Sequence, residues 1–189
     1  MAISKIVTNS VDSGVTLTSP VLVTPALGTP ASGVLTNCTG VAKAALPAGC
    51  VLQVVQATTT TLTATTSATY ADATGFTATI TPISASNKIL VLCDISYYIQ
   101  ADNATVGGVQ IVRGATAIYT DNRYSVDSVN ANIGIGAHGA FNYLDSPATT
   151  SATTYKIQIK RTSTAGTSYA FRINDSSNIS SITLIEVAG

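Results

Sequence analysis

From Asn87 to Gln100 the chain alternates without a break. Ile89, Val91, Cys93, Ile95, Tyr97 and Ile99 fall on one face, and Leu90, Leu92, Asp94, Ser96, Tyr98 and Gln100 on the other. A period of two marks a β-strand, because successive side chains of a pleated backbone point to opposite faces. Similar runs span Val51–Gln56, Phe76–Thr81 (stopped by Pro82), Ile133–Leu144 and Ile179–Val187, and shorter ones carry Tyr155, Ile157 and Ile159, then Tyr169, Phe171 and Ile173. Gly107-Gly108 reads as a turn into Val109–Arg113, and Gly114-Ala115 as the turn of a hairpin into Ala117–Thr120. About eight or nine short strands punctuated by turn residues predict an all-β, antiparallel, jelly-roll-like β-sandwich.

Two strands are apolar on both faces. Leu90 and Leu92 lie opposite the main stripe of their strand, and in the last strand Ile182 and Leu184 oppose Ile185 and Val187. A sandwich strand with one face in water is polar on that face, so these strands call for a second buried surface. The pattern therefore predicts a homotrimer packed around Leu90, Leu92, Ile182, Leu184, Ile185 and Val187.

The segment before Val51 reads differently. Pro20, Pro25 and Pro30 recur at five-residue spacing, which excludes a helix and a central strand. No aromatic residue precedes Tyr70, so this segment has little with which to build a core. Residues 1–40 are read as an extended attachment or stalk segment, with Ile3, Ile6, Val7, Val21, Leu22 and Val23 as its anchoring side chains. Residues 41–50 form a linker with one helical turn ended by Pro47 and Gly49, and residues 51–189 form the sandwich domain.

Composition narrows the function. The 189 residues carry nine Lys+Arg against nine Asp+Glu, only 10% are charged, and Thr with Ser makes up about a quarter of the chain. A zero balance leaves no basic footprint for nucleic acid. A mean hydropathy of +0.36 argues against disorder. No run of 18 apolar residues predicts a membrane-spanning helix. The first residues lack the apolar core of a secretory signal, so the Asn-x-Ser/Thr triplets at Asn37, Asn103, Asn174 and Asn178 read as chance matches. Neutral, Thr-coated strands suit a protein that lives in an assembly.

Catalytic candidates are sparse. His138, the single histidine, stands among glycines on a predicted strand, and no Gly-x-Ser-x-Gly elbow supports a nucleophile. Gly134, Gly136 and Gly139 match a dinucleotide-binding string, but Ala140–Leu144 after them alternates as a strand, without the helix N-terminus that chemistry needs. Glu186 is the only glutamate, and Asp102, Asp121, Asp127 and Asp145 lie in or beside predicted loops, where Asp is a turn former before it is a calcium ligand. Of Cys38, Cys50 and Cys93, the last reads as a core residue, and no zinc spacing or disulfide framework is evident. The expectation is a protein that is not an enzyme, with no metal and no cofactor. Tyr98, Tyr119 and Tyr124 remain as surface-recognition candidates, since tyrosine offers a rigid apolar face and a hydroxyl.

Four stretches carry a resemblance. The run Thr24–Gly40 (TPALGTPASGVLTNCTG) resembles a segment of tailed-bacteriophage fibre and appendage proteins that precedes a C-terminal domain. Gly49–Gln56 (GCVLQVVQ) is similar to the start of that domain, where a small residue more often replaces Cys50; Thr77–Val91 and the ending Ser181–Gly189 resemble further parts of it. The resemblance implies a trimeric, non-enzymatic virion component, made in the host cytoplasm, with an N-terminal attachment and a β-rich head. Its implied partners are two further copies of itself and other virion proteins of the tail, baseplate or capsid, with a host surface glycan or protein at the projecting end. A capsid decoration protein is one alternative. A trimeric jelly-roll adhesion module for carbohydrate or protein is another.

Overall fold

A computed structural model of the protein describes residues 46–101, 105–126, 133–163 and 170–189. The chain divides into two units, Met1–Gly40 and Val41–Gly189. The first, with the anchoring candidates Ile3, Ile6, Val7, Val21, Leu22 and Val23 and with Cys38, lies outside the described residues, as do Asp102, Asn103, Asp127 and Tyr169.

Among the described residues ten strands run in order: β1 (Val51–Thr59), β2 (Thr63–Thr65), β3 (Ala71–Ile80), β4 (Lys88–Ala101), β5 (Thr105–Arg113), β6 (Thr116–Val126), β7 (Ile133–Asp145), β8 (Thr153–Ser163), β9 (Phe171–Ile173) and β10 (Ser180–Val187). One sheet runs β1-β10-β4, with β7 on the far side of β4. Farther along β4, β9 takes the place of β10 and β2 that of β1. The second sheet runs β3-β8-β5-β6, and every pairing is antiparallel. With β1/β2 and β9/β10 each counted as one interrupted strand, eight strands remain. In chain order they lie 1-8-3-6 in one sheet and 2-7-4-5 in the other, the double Greek key of a jelly roll.

Alternation places the core. The inward face of β4 supplies Ile89, Val91, Cys93, Ile95 and Ile99, which meet Phe76, Ile80, Ile111, Tyr155, Ile157 and Ile159 from the second sheet. Removing such side chains from water contributes roughly 25 cal/mol per Å² of apolar surface. Cys93 sits in this core, and burial pushes its thiol up to about 12. Ile182 and Leu184 are fully buried here too, with no surface left for a second chain. This corrects their assignment to a trimer interface: on β10 the inward register belongs to Ile182 and Leu184, and the outward one to Ile185 and Val187.

Two buried carboxylates tie the edges of the sandwich. Asp145, the last residue of β7 and beside the loop that follows, accepts hydrogen bonds from Arg113 Nη1 at 2.7 Å and Tyr155 Oη at 2.7 Å, and so bridges the two sheets. Glu186 accepts from Asn87 Nδ2 (2.6 Å), the Ile83 backbone N–H (2.7 Å) and Gln53 Nε2. Both carboxylates thereby escape the cost of an unpaired buried charge.

Two local expectations change. Gly107-Gly108 is not a turn but a bulge inside β5, where the register against β6 shifts. A Cβ on Gly107 would stand 2.6 Å from the Phe171 ring, so the missing side chain makes room for a core aromatic. Residues 46–50 form a turn with Gly49 at φ +89°; residues 41–45, where the helical turn before Pro47 is expected, lie outside the described residues. Finally, β3 starts at Ala71 through an irregularity around Gly75, and the Thr-rich stretch before it contains β2.

Candidate functional site

The outward face of the β7-β4-β10-β1 sheet can be read row by row from its register. Leu144, Leu90, Ile185 and Val54 stand side by side across four strands. The next outward row is Asn142, Leu92, Thr183 and Gln56, and the one after it Ala140, Asp94, Ser181 and Thr58. Beyond these lie His138 beside Ser96, then Gly136, Tyr98 and Arg172. The face is therefore graded, apolar at one end and polar at the other. At about 3.3 Å per residue, the eight steps along the strand from Leu90 to Tyr98 separate the ends by roughly 26 Å.

The apolar end lies where the chain enters the sandwich. The Gly49 backbone N–H donates to the Ala188 carbonyl at 2.8 Å and the Ala188 N–H to the Cys50 carbonyl at 2.9 Å, which ties the first residues of the domain to the last. Val54 and Leu144 are 56% and 49% exposed, Leu92 is 37% exposed, and Leu90, Ile185 and Val187 are half-buried. Of the residues expected at an interface, Leu90, Leu92, Ile185 and Val187 thus share one outward patch. Val54 and Leu144 complete it. Sequence alternation alone does not reveal these two, because β1 and β7 join the patch only through pairing with β10 and β4.

The polar end holds an open hollow of about 480 Å³ whose lining includes Tyr98, His138, Asp175, Ser176 and Asn178. The tyrosine is seated by glycine: a Cβ on Gly134 would collide with the Tyr98 hydroxyl, and one on Gly136 would touch its ring at 3.4 Å. Two of the three glycines of the dinucleotide-like string therefore serve to lay Tyr98 flat along β7, and the third, Gly139, makes room for Tyr124, whose ring a Cβ would meet at 2.7 Å. His138 Nδ1 and Asp94 Oδ1 are 2.8 Å apart, and Arg172 stands 3.8 Å from Asp175 with its guanidinium 5.8 Å from the Tyr98 ring centre.

A strained loop forms one wall. Asn174, Ser176 and Ser177 have φ of 57°, 57° and 61°, a left-handed conformation that costs non-glycine residues roughly 1–2 kcal/mol each. Buried Asn174 holds the loop: its backbone N–H donates to the Ser96 carbonyl at 3.0 Å, its side-chain amide donates to the Thr61 carbonyl, and its amide oxygen accepts from Ser180 Oγ. This loop escaped the sequence reading, since Asp-Ser-Ser-Asn signals a turn and nothing about its hand.

The tyrosines part company. Tyr98 lines the hollow. Tyr119 stacks on Phe141 with ring centres 5.4 Å apart, and Tyr124 meets Tyr97 edge-on at 4.9 Å. Burial raises the Tyr124 hydroxyl above the usual phenol range, helped by the Asp121 charge. Tyr119 and Tyr124 are partly buried and pack one side against the core, and Tyr119 also lines a second open hollow with Asp121 and Asn122. Among the described residues no cluster of three or more His, Cys, Asp or Glu could hold a metal ion.

No protein-family model matches the chain, and no curated protein does. Among solved structures it is similar to a chain of infectious bursal disease virus, Gx strain, at 15% identity and a TM-score of 0.42, over 72% of this chain and 32% of that one. It is also similar to the VP2 subviral particle of infectious bursal disease virus (13% identity, TM-score 0.42, 72% of this chain and 33% of that one). The Gt strain matches at 12% identity and a TM-score of 0.40, over 85% and 43% of the respective chains. The chain spans less than half the length of each. The jelly-roll assignment stands on the strand order itself.

Proposed function

We propose that the chain is a structural, non-enzymatic component of a bacteriophage virion. It is a short homotrimeric appendage, attached through residues 1–40 and projecting the jelly roll as its head. The observation that carries this reading is the apolar row Leu144-Leu90-Ile185-Val54, flanked by Leu92, at the end where the chain enters the sandwich. Monomers rarely leave contiguous apolar patches larger than a few hundred Å² in water, and three copies closed by symmetry would cover this one. The resemblance of Thr24–Gly40 to the segment preceding fibre head domains supports the same polarity: attachment and self-association at one end, a free polar end at the other.

Deletion of residues 1–40 tests the attachment. The shortened chain is expected to keep its oligomeric mass and to be lost from purified particles. Incorporation at the level of the full chain would refute the attachment role.

A further inference from the structure

We propose that the hollow at the far end of the outward face is a binding site for a neutral pyranose sugar. Four observations lead there.

The first is shape. A hollow of about 480 Å³ falls within the range of small-ligand sites. The second is the lining. Sugars present hydroxyls that both donate and accept, next to patches of C–H. Asp175 offers acceptors, Asn178 offers both, and His138 offers a ring nitrogen beyond the one engaged with Asp94. Tyr98, laid flat along β7 by Gly134 and Gly136, provides the aromatic surface on which a pyranose C–H face packs. Third, the charged groups around it already have partners. Asp94 is hydrogen-bonded to His138 and Asp175 faces Arg172 at 3.8 Å; no Lys or Arg lines the hollow to hold an anion, and among the described residues no acidic cluster is there to hold a metal ion. The fourth is the wall. Three departures into left-handed backbone at Asn174, Ser176 and Ser177 are retained and anchored by a buried asparagine. Such conformations persist where the surrounding fold holds them, and they cluster at ligand clamps.

The proposal does not rest on the virion reading, and its test separates the two. Saturation-transfer NMR on the full chain uses the methyl pyranosides of glucose, galactose, mannose and N-acetylglucosamine, with sialic acid as the charged comparison. At least one neutral pyranoside is expected to bind with millimolar affinity. Asp175→Ala and Tyr98→Ala are expected to weaken it tenfold or more, while Tyr143→Ala, an exposed tyrosine outside the hollow, leaves it unchanged. Asn178→Ala, on an exposed loop side chain, serves as a second probe should Tyr98→Ala fail to fold. The proposal is overturned if none of the four neutral sugars shows transfer, if sialic acid binds more tightly than all of them, or if the hollow variants bind as the unaltered chain does. Light scattering on the same samples reads the assembly independently. A trimer that binds no sugar removes only this inference, and a sugar-binding monomer removes only the assembly.

Discussion

At the scale of single residues, the chain has few charges and buries some where they count. Glu186 is fully buried. Burial pushes its carboxyl up, and the hydrogen bonds from Asn87, Gln53 and the Ile83 and Ser84 backbone outweigh that and leave it below its usual 4.5. A carboxylate held below its unfolded value stabilises the fold at neutral pH and loses that contribution as pH falls through the folded value. Glu186→Gln turns an amide toward these four donors and is expected to cost about 2–3 kcal/mol at pH 7. The deficit relative to the unaltered chain should shrink between about pH 5 and pH 3, as read by urea unfolding at each pH. Tyr155→Phe removes one donor from Asp145 and leaves Arg113 in place. The expected cost is about 1–3 kcal/mol, visible as a lower melting temperature.

At the scale of elements, the glycines of β5 and β7 are packing devices. Gly107→Ala drives a methyl into the Phe171 ring and is expected to cost about 1–3 kcal/mol through overpacking. Gly114→Ala has open space around it and bears only the strain of its φ of +57°, roughly 1 kcal/mol. Equal costs in thermal unfolding would contradict this reading of β5. These positions also mark what the sequence makes legible. The alternation of β4, β7, β8 and β10 announces strands and a sandwich, because period two is a local property. Gly107-Gly108 reads as a turn because the reason for it, Phe171, lies far along the chain and meets β5 only through folding. For the same reason Asp145 reads as a loop former until Arg113 and Tyr155 arrive from the other sheet. The candidate site was legible only in part: Tyr98 stood out as a tyrosine beside an apolar stripe, while the loop Asn174–Asn178 and the pairing of His138 with Asp94 are products of register and backbone hand.

At the scale of the whole molecule, the graded face gives the domain a direction. Its apolar row lies beside the junction with residues 1–45, and its polar hollow stands about 26 Å away along β4. The proposed self-association at one end would leave the other uncovered in every copy, and three such ends on one rigid body would act together. The apolar row is the central claim, since the assembly and the orientation of the head both depend on it. The most direct test is the mass of the full chain in solution by light scattering, alongside the double variant Leu90→Ser, Leu144→Ser. The expected result is three times the chain mass of 19.2 kDa for the unaltered protein, and a single-chain mass with retained β-sheet circular dichroism for the variant. A monodisperse single-chain mass for the unaltered protein, or a trimer that the double variant leaves intact, would contradict the account.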